Sequence, residues 1–250
     1  MKPDRASHRK LQALILAGGL GKRLRPAFDD GPKSLAPVAG RPFLDYLMRW
    51  LRTSGFTNVV MCLGYKTEQI RRRYLDGRLW GLRISYSVEE APLGTAGAIK
   101  NAEALLQGDA FLVLNGDSFT DVSLRDLIQF HLRRGGLATM ALAPTPQDSR
   151  YGSVHLNDSG QIVGFFEKNS TDIVNDGFGR SWINGGIYVF QRDLLRMIPR
   201  GEQVSLETNI FPQLVGQQFY GFPTTGYFID IGVPADYRRA QVEFRKRFSQ

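Results

Sequence analysis

The stretch Gln12-Ala13-Leu14-Ile15-Leu16-Ala17-Gly18-Gly19 decides how the fold begins. Its first six residues are mostly apolar, and the two glycines end the run. An apolar run of this length that stops at glycines is typical of a buried strand followed by a tight turn. We therefore predict a strand that starts at residue 12 and a glycine-rich loop directly after it.

From residue 42 onward, helical and strand patterns alternate. The apolar residues between 43 and 51 share one helical face, and Gly55 is placed to end that helix. Further helices are predicted at about 67–75, 95–106 and 124–134, and strands at 58–63, 84–88, 110–115 and 137–143. Strands that alternate with helices form βαβ units, with ligand sites at the carboxyl ends of the strands. We predict an α/β fold with a Rossmann-like, mostly parallel but mixed sheet flanked by helices.

After Pro144 the pattern changes to α+β. Two short alternating segments, 152–156 and 161–167, flank Asn157-Asp158-Ser159-Gly160, a sequence typical of a hairpin turn. Strands are also predicted at 181–190 and 226–231, and a basic closing helix at 234–248. Because no repeat or linker is visible, we predict one domain over 1–250, with a first part at about 11–143 and a second at about 144–250.

Composition and charge exclude several classes of protein. The longest apolar runs fall far short of the roughly 20 residues of a membrane-spanning helix, so we expect no membrane insertion and a cytoplasmic location. With 32 Lys and Arg against 24 Asp and Glu, the net charge is +8. This charge suits nucleic acid, an anionic surface or a polyanionic small substrate. No aromatic-interleaved basic run is present, so we expect no nucleic acid. The arginine clusters, such as 71–73, are most simply solvated helix faces.

The loop after the first strand, Gly18–Pro26, contains a Gly-Lys pair but fits neither common phosphate motif. A Walker A sequence would need glycine where Leu16 stands and Ser or Thr where Arg23 stands. A dinucleotide fingerprint would need glycine in place of Leu24. What remains is bare glycine backbone followed by cations up to Lys33, which suits a triphosphate. The alternative is a solvated surface loop.

This loop, together with Pro32–Val38, resembles the signature of the sugar-1-phosphate nucleotidylyltransferases, which make nucleotide-activated sugars. Five further segments match that family in the expected order: Glu89–Gly97, Asn115-Gly116-Asp117, Glu167-Lys168, Asn184–Tyr188 and Phe228–Pro234. The resemblance spans about residues 11 to 245. Its specificity lies in the ordered set of segments rather than in any one of them.

The resemblance implies a role for each matched position. The nucleotide would be bound by Leu16, Ala17, Gly18, Gly19, Gly21, Arg23, Pro92, Gly94, Thr95 and Asp117. The sugar phosphate would be bound by Glu167, Lys168, Asn184 and Gly185. The catalytic residues would be Arg23, Lys33 and Asp117. Mg²⁺ would be the cofactor, held by Asp117 and Asp230, as is usual for an ion that takes one or two carboxylates plus phosphates and water.

The implied reaction is attack by a sugar 1-phosphate on the α-phosphorus of a nucleoside triphosphate. The chain looks most like the short guanylyltransferases that act on D-glycero-α-D-manno-heptose 1-phosphate in three segments, Gly64-Tyr65-Lys66, Pro92–Lys100 and Tyr227–Tyr237. This resemblance would place the protein in bacterial surface-polysaccharide synthesis. One alternative is a UTP-dependent enzyme acting on N-acetylmuramic acid 1-phosphate or a hexose 1-phosphate. Another is a non-catalytic sugar-nucleotide-binding subunit, which would be expected to lose Arg23, Lys33 or an aspartate. The substrates would be the partners, and the sequence allows a homo-oligomer without fixing the oligomeric state.

Overall fold

The chain is described by a computed structural model at residues 11–145, 151–166 and 182–248. Its strands there are β1 (Gln12–Leu16), β2 (Pro37–Val38), β3 (Arg41–Pro42), β4 (Asn58–Leu63), β5 (Arg83–Val88), β6 (Ala110–Asn115), β7 (Ser118–Thr120), β8 (Ala138–Pro144), β9 (Ser153–Leu156), β10 (Ile162–Phe166), β11 (Trp182–Gln191), β12 (Phe219–Pro223) and β13 (Phe228–Asp230). The helices are α1 (Phe43–Thr53), α2 (Thr67–Tyr74), α3 (Gly94–Asn101), α4 (Leu124–Arg134), α5 (Phe211–Leu214) and α6 (Pro234–Arg247). None of these helices is long and apolar enough to cross a membrane.

One mixed sheet organises the molecule. Its parallel part has the order β6-β1-β4-β5, all from the first half of the chain. On the other side of β6, β11 pairs antiparallel, β8 pairs antiparallel with β11, and β12 runs parallel to β8. The β9–β10 hairpin joins β11 through Trp182 opposite Val154. The predicted mixed, mostly parallel sheet flanked by helices is confirmed.

Both faces of the sheet are covered, as the residues of β1 show. Ala13 and Ile15 point into one core with helices α1, α2, α4 and α6, whereas Leu14 points into the other with α3 and α5. All three side chains are fully buried. A strand buried on both faces reads as a continuous apolar run rather than an alternating one. This burial explains why the sequence of β1 is a nearly uninterrupted apolar run.

Most predicted elements lie where the patterns placed them, and the differences have physical reasons. The helix predicted at 95–106 ends at Asn101, and a separate 3₁₀ turn, Glu103–Leu105, follows it. The strand predicted at 226–231 is only Phe228–Asp230, and it pairs with β7 in a small sheet of its own. β12 was not predicted because its sequence, Phe-Tyr-Gly-Phe-Pro, contains the two residues most depleted in strands.

The arginine cluster 71–73 is more than a solvated helix face. The Arg73 guanidinium donates two hydrogen bonds, of 3.0 and 2.6 Å, to the buried carboxylate of Asp45 on α1. The Tyr74 hydroxyl donates a third to the same carboxylate at 2.6 Å. Arg71 lies over the Tyr86 ring, 5.6 Å from its centroid. These contacts tie α2 to α1 and to β5, so the expectation of a purely solvated cluster is corrected.

A buried histidine makes the stability of this fold sensitive to pH. His131 on α4 is fully buried, and its Nδ1 lies 2.9 Å from the Thr139 hydroxyl. Its Nε2 has no hydrogen-bond partner among the described residues. Burial lowers the pKa of His131 to about 4, so the imidazole is neutral in the folded protein. In the unfolded chain a histidine binds its proton near pH 6.5.

The unfolded state therefore binds more protons than the folded state between these two pKa values. We expect the free energy of unfolding to fall by about 2 kcal/mol from this residue alone between pH 7 and pH 5. Urea unfolding of the wild type and of His131→Asn, which does not titrate, measures the difference in slope. Equal losses of stability in the two proteins over this pH range would contradict the assignment.

Candidate active site

A pocket of about 240 Å³ opens where the central strands end. Its lining comes from distant parts of the chain: Arg23, Asn115, Asp117, Ser118, Tyr151, Gly152, Phe165, Asn184, Gly186, Glu207, Phe228 and Asp230. Arg23 belongs to the loop that follows β1, and Asp117 to the turn that follows β6. The carboxyl ends of parallel strands are where open α/β sheets bind ligands. The pocket therefore lies at the carboxyl edge of the sheet, where the glycine loop and the Asn-Gly-Asp segment were predicted to lie.

A pair of three-residue strands brings the two predicted metal ligands together. In the β7–β13 ladder, Asp230 is opposite Ser118, the residue after Asp117. The Ile231 N–H also donates to the main-chain carbonyl of Asp117 at 3.0 Å. On the other side, the Gly116 N–H donates to the carbonyl of Leu16 at 2.9 Å, which fixes the turn to the end of β1. The structure thus places both aspartates at the same end of the sheet.

Lys33 lies between these two carboxylates. Its Nζ is 2.5 Å from Asp117 Oδ2 and 3.5 Å from Asp230 Oδ1, and its side chain is only 12% exposed. Burial by itself lowers the pKa of Lys33, but the two carboxylates outweigh it and the net pKa is raised. Lys33 is therefore charged at neutral pH and compensates the negative charge of the aspartate pair.

On one side, the glycine loop packs against the aliphatic part of the Lys33 side chain. The other side of the loop is open. Gly21 has a φ of +60°, and a side chain there would come within 3.2 Å of the Lys33 Cβ. A side chain on Gly19, by contrast, would meet nothing within 4 Å. Arg23 is exposed and forms no ion pair with any described carboxylate. The loop thus offers open backbone and a free guanidinium next to the aspartates.

Glu89 places a third carboxylate at this end of the sheet, behind the glycine loop. It follows β5, its Oε2 accepts a hydrogen bond from the Leu93 N–H at 3.2 Å, and its Oε1 lies against the backbone of Gly18. Burial raises the pKa of this carboxyl group. Within the described ranges no cation pairs with it. Glu89 is therefore an acceptor that the protein itself leaves partly unused.

The predicted nucleotide-binding segment around Pro92 makes a contact that the sequence did not reveal. Two N–H groups at the start of α3, of Ala96 and Gly97, donate to the carbonyl of Val204 at 2.9 and 3.1 Å. Gly94 has to be glycine here, because it has a φ of +72° and a side chain would come within 2.5 Å of the Val204 oxygen. The segment from 202 to 207 is thereby docked on the N-terminus of α3, and Thr95 contacts it.

Of the four residues predicted to bind the sugar phosphate, the structure describes two, Asn184 and Gly185. Asn184 lines the pocket, where its Nδ2 donates to the Tyr188 hydroxyl at 2.8 Å and its Oδ1 accepts from the Gly186 N–H at 2.9 Å. Gly185 instead faces β8, since a side chain there would lie 2.7 Å from the Ala141 oxygen. Glu167 and Lys168 lie outside the described residues.

Several pocket residues were missed by sequence reasoning. Tyr151 and Phe165 contribute aromatic rings, and Glu207 contributes a carboxylate. Phe228 also lines the pocket; it belongs to a segment that matched the family, but sequence reasoning assigned this residue no role. The only signal near Glu207 was Ser205, whose hydroxyl accepts from the N–H groups of the next turn as a helix cap does. That pattern indicates where a helical turn begins, and it gives no information about which side chain reaches a pocket.

The donor set fits a divalent cation that is shared with substrate. In the part of the chain that the structure describes, no group of three or more His, Cys, Asp and Glu side chains could hold a metal ion alone. Mg²⁺ normally takes one or two carboxylates and completes its octahedron with phosphate and water oxygens. Asp117 and Asp230 supply such a pair. Beside them, Asn115 Oδ1 and Ser118 Oγ are buried without a described hydrogen-bond partner. Both oxygen atoms are therefore available to a ligand.

Comparison with known proteins matches nearly the whole chain to one family. The family model described as "Nucleotidyl transferase" matches residues 12–247, a range that contains every residue lining the pocket. The D-glycero-alpha-D-manno-heptose 1-phosphate guanylyltransferase of Aneurinibacillus thermoaerophilus is 38% identical over 94% of this chain and 99% of its own length. The protein of the same name from Campylobacter jejuni is 35% identical over 91% of this chain and 97% of its own.

Solved structures show the same similarity. The crystal structure of HddC from Yersinia pseudotuberculosis matches with a TM-score of 0.81 and 31% sequence identity, over 94% of this chain and 99% of that one. A structure of the same protein complexed with GMP-PN matches with a TM-score of 0.80. The structural similarity therefore extends over nearly the whole chain.

Proposed function

The chain belongs to the nucleotidyl transferase family, and we propose that it joins D-glycero-α-D-manno-heptose 1-phosphate to GTP, giving a GDP-heptose and pyrophosphate. The observation that carries this proposal is the convergence of Arg23, Lys33, Asp117 and Asp230 at one end of the sheet. The choice of sugar and base is supported by the two guanylyltransferases that resemble the chain over more than nine-tenths of its length.

The proposed reaction needs positioning and positive charge rather than a general base. A phosphate monoester has its second pKa near about 6, so the sugar phosphate is already deprotonated at neutral pH. One of its oxygens forms a bond to the α-phosphorus, and the bond from that phosphorus to the bridging oxygen breaks as pyrophosphate leaves. The obstacle is the repulsion between two polyanions, which fixed cations reduce. Arg23 suits this role because its planar fork can donate to two phosphate oxygens at once.

The aspartate pair would hold the metal ion of the proposed reaction. The carboxylates of Asp117 and Asp230 would bind Mg²⁺, which when bound supplies positive charge to the phosphates. The same two carboxylates contact Lys33 within hydrogen-bond and ion-pair distance. Lys33 thus keeps the carboxylates oriented and adds a second positive charge at the place where both substrates carry phosphate.

The chemistry of Glu89 supports guanine rather than uracil as the base of the nucleotide substrate. A carboxylate only accepts hydrogen bonds, and guanine presents neighbouring N1–H and N2–H₂ donors on one edge. Uracil presents a single N–H between two carbonyl oxygens, which a carboxylate would repel. Since Glu89 has a raised pKa through burial and no described cation beside it, donors from a base would stabilise its charged form.

Measurement of pyrophosphate release tests the proposal directly. Each of GTP, UTP, ATP and CTP is combined with heptose, mannose, glucose and N-acetylmuramic acid 1-phosphates in the presence of Mg²⁺. We expect kcat/KM to be highest for GTP with the heptose phosphate, by about 100-fold over UTP with the same sugar. Faster turnover with UTP would overturn the choice of base, and no turnover with any pair would overturn the enzymatic function.

A further inference from the structure

Among the described residues that line the pocket, Glu207 is the one carboxylate outside the pair Asp117 and Asp230. It lies in a π-helical turn, Leu206–Ile210, of the kind often found at functional sites. Its Oε2 accepts hydrogen bonds from the Thr95 and Ser205 hydroxyls, each at 2.8 Å. Thr95 in turn accepts from the Leu206 N–H at 2.7 Å. Three hydrogen bonds therefore fix where this carboxylate points.

The protein uses only one of the two oxygens of Glu207. Among the described residues, Oε1 has no hydrogen-bond partner, and no Lys, Arg or His forms an ion pair with the side chain. The residue is half-buried and lines the pocket together with Asn184 and Gly186. An unpaired carboxylate is unfavourable beside bound phosphates, because like charges repel. A neutral donor group of the ligand would satisfy Oε1 without adding negative charge to the pocket.

A sugar ring is the part of the proposed substrates that offers neutral donors. Vicinal hydroxyl groups can donate to one carboxylate, and hydrogen bonds to a charged acceptor are stronger than those between neutral groups. We propose that Glu207 binds hydroxyl groups of the pyranose ring of the sugar 1-phosphate, and that Thr95 and Ser205 position its carboxylate. This inference rests on the proposed function, since it names the residue that recognises the sugar of that reaction.

The substitution Glu207→Gln tests the inference, and Glu202→Gln is its matched control. Glu202 lies in the same docked segment, but its side chain is exposed and has no described partner. We expect Glu207→Gln to raise the KM for the sugar 1-phosphate by about 10- to 100-fold, the range for losing hydrogen bonds to a charged group, with the KM for GTP within about twofold of the wild type. Glu202→Gln should leave both KM values unchanged.

Thr95 provides a second test through the hydroxyl that holds Glu207. Thr95→Ser keeps that hydroxyl and should keep the KM for the sugar phosphate, whereas Thr95→Val should raise it as Glu207→Gln does. Sugar 1-phosphates that lack single hydroxyls sharpen the result. One deoxy analogue should bind the wild type more weakly than the complete sugar does. Glu207→Gln should bind this analogue and the complete sugar equally well, because it has already lost the contact with that hydroxyl group.

Calorimetric titration of mannose 1-phosphate into the GTP-free proteins separates this inference from the proposed function. If the wild type shows no turnover but binds the sugar phosphate more tightly than Glu207→Gln does, the proposed function fails and the assignment of Glu207 holds. If Glu207→Gln and Glu202→Gln have the same affinity and KM for the sugar phosphate, the assignment of Glu207 is overturned. It is overturned equally if Glu207→Gln weakens only GTP or Mn²⁺ binding.

Discussion

We expect the replacement of Arg23 by alanine to lower kcat by about 1,000-fold, the scale on which an arginine that stabilises a transferring phosphoryl group acts. The guanidinium lies on the glycine loop, lines the pocket and has no carboxylate partner among the described residues, so its charge is available to substrate. Because the charge on the phosphates redistributes as the new bond forms, loss of Arg23 should affect kcat more than the KM for GTP. Steady-state pyrophosphate release measures both quantities.

Two further variants show whether the geometry of this arginine matters or only its charge. Arg23→Lys keeps the charge but loses the planar fork, and it should recover only a small part of the activity. Arg196→Ala is the matched control, since Arg196 is an exposed arginine on the surface, paired with Asp193 at 3.2 Å. We expect its kcat to equal that of the wild type. Arg23→Ala with wild-type kcat would remove Arg23 from the site.

Asp117→Asn and Asp230→Asn should each abolish most of the activity, by about 1,000-fold or more, because each removes one of the two carboxylates proposed to hold Mg²⁺. Asparagine is close to aspartate in size, so the β7–β13 ladder and the hydrogen bond from Ile231 to the Asp117 carbonyl should survive. The expected result is a folded protein with lost activity. Titration with Mn²⁺, followed by its paramagnetic resonance signal, should show weaker binding in both variants.

The control for these variants is Asp121→Asn. Asp121 lies four residues after Asp117, is exposed and pairs with Arg247 at 3.2 Å instead of Lys33. Its activity and Mn²⁺ affinity should match those of the wild type. Full activity in Asp117→Asn, or a loss in Asp121→Asn as large as that in Asp117→Asn, would contradict the proposed metal site.

The parts of the fold that the sequence predicted are those whose signal is local. β4 and β6 begin and end where predicted because strands buried on both faces are uninterrupted apolar runs. α1 ends close to Gly55 because glycine accepts a φ of +91° there without strain. In each case a few neighbouring residues carry the information.

The parts that were missed depend on contacts between distant residues. β7 is only three residues long, too short for a periodic pattern, and it exists because β13 lies beside it. A strand was predicted at 226–231, where β13 lies, but its pairing with β7 was not. Nothing near Arg73 in the sequence reveals that Asp45 is buried against it. For the candidate site, motifs placed Arg23, Lys33, Asp117 and Asp230, whereas Glu207 reaches the pocket only through the docking of its segment on α3.

The pairing of β7 with β13 also sets when, during synthesis of the protein, the two proposed metal ligands can meet. The four parallel strands β1, β4, β5 and β6 are complete once residue 115 has been made, and N-terminal regions generally fold first as a chain emerges from the ribosome. Asp230 joins Asp117 and Lys33 only when more than a hundred further residues have been added. A growing chain that has not yet reached Asp230 thus carries the glycine loop without the second of the two proposed metal ligands.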